Sequence, residues 1–175
     1  ALRLPQVGDH QLRVLSPTVL ELQRITSGAT EWNFVDDRGN FITPPVSGFT
    51  VTANGQNVGV GSVGFRRRVA YGALLYRDLR VANYLYLVLD SPGPEGVTVE
   101  VTNSCVSVCP STMQFKATAD PGRYSPAIHV NQEGYVPNLT KQAMVGYYLG
   151  NQGELDIDAA AGFKIVSAST GTTVY

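Results

Sequence analysis

Alternation is the feature that most constrains this chain. Apolar and polar residues take turns in short runs, and clusters of Gly, Pro, Asn, Asp and Ser cut the runs apart. A period of two suits a strand with one covered face, whereas a helix repeats its apolar residues at three and four. Residues 11–15, 18–23, 31–35, 49–53, 56–60, 66–75, 80–89 and 97–101 are read as strands, and no segment makes a convincing helix. Asn54-Gly55 gives the strongest hairpin signal, because Asn-Gly accepts the positive φ angles of a type I′ turn. Residues 80–89 are apolar almost throughout, with Tyr84 and Tyr86 on one face, which predicts that both rings are buried. Seven or eight strands at this spacing before residue 120 describe a β-sandwich.

A second unit follows. Residues 119–126 hold Pro121, Gly122 and Pro126 and come after a complete-looking strand set, so they mark the boundary. The expected organisation is a sandwich module over 1–120, a linker over 121–126 and a further β module over 127–175. In the last unit, residues 128–130, 142–149, 162–167 and 172–175 read as strands. The predicted fold class is all-β: two immunoglobulin-like or β-sandwich modules in series, the second with about four strands where about seven are usual.

Composition agrees with a packed β protein. Of 175 residues, 43% are hydrophobic and 15% charged, enough apolar material for a core. The net charge of −1 argues against a nucleic-acid footprint. Arg66-Arg67-Arg68 is read as a sheet edge or a solvated face in preference to a polyanion site. No stretch approaches the roughly 18–20 apolar residues of a membrane span. Ala1 suits a mature chain after signal cleavage or a cut at a domain boundary, and the first reading predicts an exported or cell-surface protein.

The segment Ile128-His129-Val130-Asn131-Gln132-Glu133-Gly134-Tyr135-Val136-Pro137 carries the most specific string, Asn-Gln-x-Gly-Tyr-x-Pro. Lys141-Gln142-Ala143, Phe163-Lys164-Ile165-Val166 and Thr170-Gly171-Thr172-Thr173-Val174-Tyr175 follow in order. Together, from Ser125 to Tyr175, these residues resemble the N-terminal immunoglobulin-like module of family-nine glycoside hydrolases, the cellulases. The resemblance implies a secreted, carbohydrate-associated accessory module beside a separate catalytic domain. Catalytic residues of that family lie in a helical barrel with no counterpart here, so none is carried over.

Each candidate site has a structural and a functional reading. Asn131, Gln132, Gly134, Tyr135, Pro137 and Lys141 are read as structural, with contact to a catalytic domain or a sugar as the alternative. Trp32, Tyr71 and Tyr76 are candidate sugar contacts, because a flat ring packs on the apolar face of a pyranose. Cys105 and Cys109 sit four apart, about 13 Å on a straight strand at ~3.3 Å per residue, so a disulfide needs a bend. A local disulfide is preferred, two free thiols come next, and metal binding last. Asp36, Asp37, Asn40, Asp156 and Asp158 read as solvated turns more readily than as a calcium loop. Asn138-Leu139-Thr140 is a glycosylation sequon, meaningful in a eukaryotic secretory host. No catalytic motif, metal site or cofactor is expected. The expected partners are a catalytic domain of the parent protein or a polysaccharide, with self-association through open strand edges as the alternative.

Overall fold

The computed structural model describes residues 3–28, 31–104, 108, 113–131, 133–158 and 162–174. Two antiparallel four-stranded sheets face each other. The first runs β1-β2-β6-β5, built from β1 (His10–Ser16), β2 (Val19–Ser27), β5 (Val60–Ala73) and β6 (Asp78–Leu89). The second runs β4-β3-β7-β8, built from β3 (Phe49–Ala53), β4 (Gln56–Val58), β7 (Thr98–Asn103) and β8 (Phe115–Thr118).

Alternation decides which residues enter the space between the sheets. Leu12 and Val14, Leu20 and Leu22, Val63 and Phe65, and Leu85, Leu87 and Leu89 point inward from the first sheet to meet Phe49, Val51, Val99, Val101 and Phe115. Asn54 and Gly55 both take positive φ (50° and 77°), as the hairpin between β3 and β4 requires.

Several expected strands do not form. Over 31–35 there is only an isolated bridge, Val35 to Phe41. Trp32 takes a φ of 52°, which breaks the extended backbone and turns the indole into the core. In the last unit, β9 (Ile128–His129) and β10 (Met144–Val145) have two residues each and pair with one another. Over 162–167 and 172–175 the described residues contribute a single bridge, Val166 to Thr173. Conversely, β8 was absent from the sequence reading and is a regular partner of β7. Residues 121–126 are fastened: Arg123 bonds the Val14 carbonyl (2.7 Å) and pairs with Glu95 (2.6 Å).

Candidate functional site

The outer face of the first sheet carries the densest polar and aromatic chemistry in the described chain. Strand register sets it out in rows. Gln11, Gln23, Tyr84 and Arg66 stand opposite one another across β1, β2, β6 and β5. Arg13, Glu21, Tyr86 and Gly64 form the next row. The Tyr84 and Tyr86 rings stack with centroids 6.3 Å apart at 4°. Glu21 is 0% exposed and accepts from Arg13 Nη1 at 2.8 Å.

Residues after Ala127 cover this face. Ala127, Leu149 and Leu155 pack with Leu15, Val19, Ile25, Ala82, Tyr84 and Tyr86 into a second apolar cluster, distinct from the sandwich core. Tyr147 Oη donates to Glu21 Oε2 at 2.6 Å, so the buried carboxylate has a cation on one oxygen and a phenol on the other. A buried charge is tolerated when it is paired and hydrogen-bonded in this way. Arg66 Nη1 donates to the Tyr148 carbonyl at 2.8 Å, and its guanidinium lies 5.6 Å from the Tyr147 ring centroid.

The short 3-10 turn Gly150–Gln152 closes the exposed edge of β5. Asn151 Oδ1 accepts from the Phe65 backbone N–H at 2.7 Å. Gly150 has a φ of +65°, and a Cβ there would meet the Phe65 carbonyl oxygen at 2.0 Å. Only glycine allows that approach. A strand edge left open invites pairing with another chain, and this turn occupies that edge around Gly64–Arg66.

Burial, then the Glu21 carboxylate and Tyr147, hold the Tyr86 phenol well above its ordinary range. Burial and the hydrogen bond to Glu21 raise Tyr147 likewise. Both phenols therefore stay protonated, as the Tyr147 donor role requires. Tyr86 Oη itself is buried with no hydrogen-bond partner among the described residues.

Tyr84, Tyr86 and Arg66 belong to this face, and the candidate sites named from sequence lie elsewhere. In the Asn131–Lys141 loop the side chains bond the loop itself. Tyr135 Oη accepts from the Asn131 N–H at 3.1 Å and donates to the Gln142 carbonyl. Asn131 Oδ1 accepts from the Glu133 N–H at 3.0 Å, and Gly134 takes a φ of 97°. Lys141 Nζ donates to the carbonyls of Val136, Pro137 and Leu139. Gln132, Cys105 and Cys109 lie outside the described residues.

Trp32 is not an exposed platform. It is 4% exposed, its Nε1 donates to the Val108 carbonyl, and its ring contacts Phe34 and Phe115. Tyr71 and Tyr76 belong to the β5–β6 hairpin, where Tyr76 is 79% exposed and the Arg80 guanidinium lies 4.9 Å from the Tyr71 ring centroid. Arg66, Arg67 and Arg68 bond the Tyr148 carbonyl, the Gly28 carbonyl and Tyr84 Oη respectively, so all three are engaged by the fold. The Asp36 carboxylate accepts from the Asn40 side chain, the Asn40 N–H and the Arg38 N–H, which hold it below the usual range and close a local turn. Among the described residues no group of three His, Cys, Asp or Glu side chains is placed to hold a metal ion.

Sequence reasoning missed Glu21, Gly150 and Asn151. A glutamate alternating with leucines in β2 reads as solvent-facing. The available signal was in β6, where the apolar run leaves no polar face and so calls for a cover on both sides.

Paired antiparallel sheets covered by a further β segment make this an all-β protein of immunoglobulin-like sandwich class. Residues 112–175 match the family model described as the cellulase N-terminal ig-like domain. The match begins ahead of β8, so a strand hydrogen-bonded into the second sheet lies inside the matched span. No curated protein and no solved structure gives a significant match.

Proposed function

We propose that this chain is a non-catalytic accessory region of an exported carbohydrate-active protein, in which modules 1–120 and 127–175 brace and position a catalytic domain. The observation that supports it is the lock between Glu21, Tyr147, Gly150 and Asn151, which fastens part of the family-matched segment onto the sandwich. A brace transmits position only if its parts do not move independently, and the Tyr147–Glu21 and Phe65–Asn151 hydrogen bonds and the second apolar cluster all oppose such movement. Weak polysaccharide contact through Tyr71 and Tyr76 belongs to the same proposal.

Two experiments test it. The purified chain is incubated with carboxymethyl cellulose, xylan and mixed-linkage glucan, and no reducing ends are expected above a heat-killed control. Thermal unfolding followed by calorimetry is expected to show one transition. Sustained hydrolysis would overturn the non-catalytic reading, and two separated transitions would overturn the brace.

A second reading is favoured by one set of side chains. Met144, Phe163, Ile165 and Val174 are exposed in a segment of two-residue strands and isolated bridges. Such edges accept strands from neighbouring chains, giving a structural or surface assembly. Light scattering that shows a monomer across the accessible concentration range would remove this alternative.

A further inference from the structure

Beside the covered part of the first sheet lies an open recess of about 310 Å³, bounded by Arg3, Leu4, Pro5 and Asp9 on one side and by Gln11 and Gln23 on the other. That volume falls at the small end of the roughly 300–1,000 Å³ typical of ligand sites.

Its wall is built and tied down. Asp9 accepts from the Gln6 N–H at 2.8 Å and from Arg3 at 3.1 Å. The Asp9 carbonyl accepts from the Ile25 N–H at 2.8 Å, and the Gly8 N–H donates to the Ile25 carbonyl at 2.9 Å. Arg80 donates to the Pro5 carbonyl, which ties the wall to β6. The floor is equally fixed. Tyr84, 1% exposed, accepts at Oη from Gln23 Nε2 (3.0 Å) and from Arg68 Nε (2.9 Å). Gln11 Nε2 donates in turn to Gln23 Oε1. This relay orients both amides and, among the described residues, leaves Gln11 Oε1 and a second N–H on each amide without a partner.

The chemistry left open is specific. Arg3 and Asp9 pair with one another, and His10, the other ionisable side chain of the lining, is turned to the Gly8 carbonyl through Nδ1, so no fixed charge is left unpaired for an anion or a cation. The two amides supply a donor and an acceptor side by side, which suits neighbouring hydroxyls. Leu4, half exposed, adds an apolar wall for a C–H face. We infer that this recess is a binding site for a neutral saccharide, held by Gln11 and Gln23 against the Leu4-Pro5 wall. The inference rests on the carbohydrate-associated reading for its choice of ligand.

The test titrates the 175-residue chain with cellohexaose, xylohexaose and an oligogalacturonate of matching length, read by amide chemical shifts and calorimetry. A neutral hexasaccharide is expected to bind, with shifts confined to residues 3–11 and 23–24 and the preferred backbone sugar given by the two neutral arms. Gln11→Ala, at an exposed position, and Gln11→Ala/Gln23→Ala are expected to weaken binding by about fivefold and about twentyfold. Lys116→Ala, on the second sheet and outside every proposed contact, is expected to leave it unchanged. No neutral binding at about 10 mM sugar, a preference for the charged oligomer, shifts centred elsewhere, or full affinity in Gln11→Ala would each overturn the site. Any of these would leave the single unfolding transition, and so the brace, untouched.

Discussion

The sandwich and the segment that follows it use similar residues to different effect. In the sandwich, strands of up to 14 residues pair on both sides or close against the opposite sheet. After Ala127 the strands shrink to two residues, and large apolar side chains such as Met144 and Phe163 remain exposed. Alternation alone does not make a strand. A run becomes regular when its covered face has something to cover it and its edge has a partner. Within the later segment the same rule applies locally. Where residues 147–155 touch the outer face of the first sheet, Leu149 and Leu155 are buried, whereas Met144 and Ile165 elsewhere in the segment are exposed.

The sharpest way to break that contrast is Gly150→Ala. A Cβ 2.0 Å from the Phe65 carbonyl cannot be accommodated by a side-chain rotation, so the Gly150–Gln152 turn must lift from β5. A loss of about 4 kcal/mol is expected in denaturant unfolding, with the later segment losing protection in hydrogen exchange before the sandwich does. An unchanged midpoint would mean the turn does not seal the edge.

Glu21→Ala comes next. It removes a buried carboxylate and leaves Arg13 and Tyr147 without their partner, for an expected cost of about 3 kcal/mol by chemical denaturation. Tyr147→Phe keeps the ring against Tyr86 and removes only the hydroxyl, so about 1 kcal/mol is expected from the same measurement.

Alkaline pH probes the same face more gently. Tyr86 and Tyr147 titrate above their unfolded value of about 10, so the protonated forms favour the folded state. Their contribution is complete below about pH 10 and is lost as pH rises through the raised folded values. Tyrosinate absorbance from the pair is expected to appear together with unfolding. Ionisation of all the tyrosines well before unfolding would contradict the burial of these two.

The smallest effect is expected at Lys141→Met. It removes three hydrogen bonds within an exposed loop and touches neither sheet. Faster exchange of the loop amides with an unchanged global midpoint is the expected result, and a large global loss would mean the loop supports the sandwich.

The sandwich was legible because its inner faces obey a local rule. Leu85, Leu87 and Leu89 repeat every second residue, and Asn54-Gly55 names its own turn. The lock was not legible, because its parts are 126 residues apart in the case of Glu21 and Tyr147 and follow no local pattern. Trp32, a candidate sugar contact flanked by Glu31 and Asn33, was ambiguous for a related reason: a positive φ, which no local pattern announces, turns the ring inward. The Asn131–Lys141 motif stood out in sequence because its side chains and backbone bond each other within a few residues, which is what a short string can encode.

Attachment of the later segment to the sandwich depends on Glu21 and Tyr147 acting together across the two regions. A double-mutant cycle with Glu21→Gln and Tyr147→Phe, read by denaturant unfolding, measures that coupling directly. The structure predicts a coupling energy of about 1 kcal/mol, because each substitution removes one end of the same buried hydrogen bond. Effects that add within about 0.3 kcal/mol would show that the two side chains do not meet, and that the later segment is not fastened to the sandwich in this way.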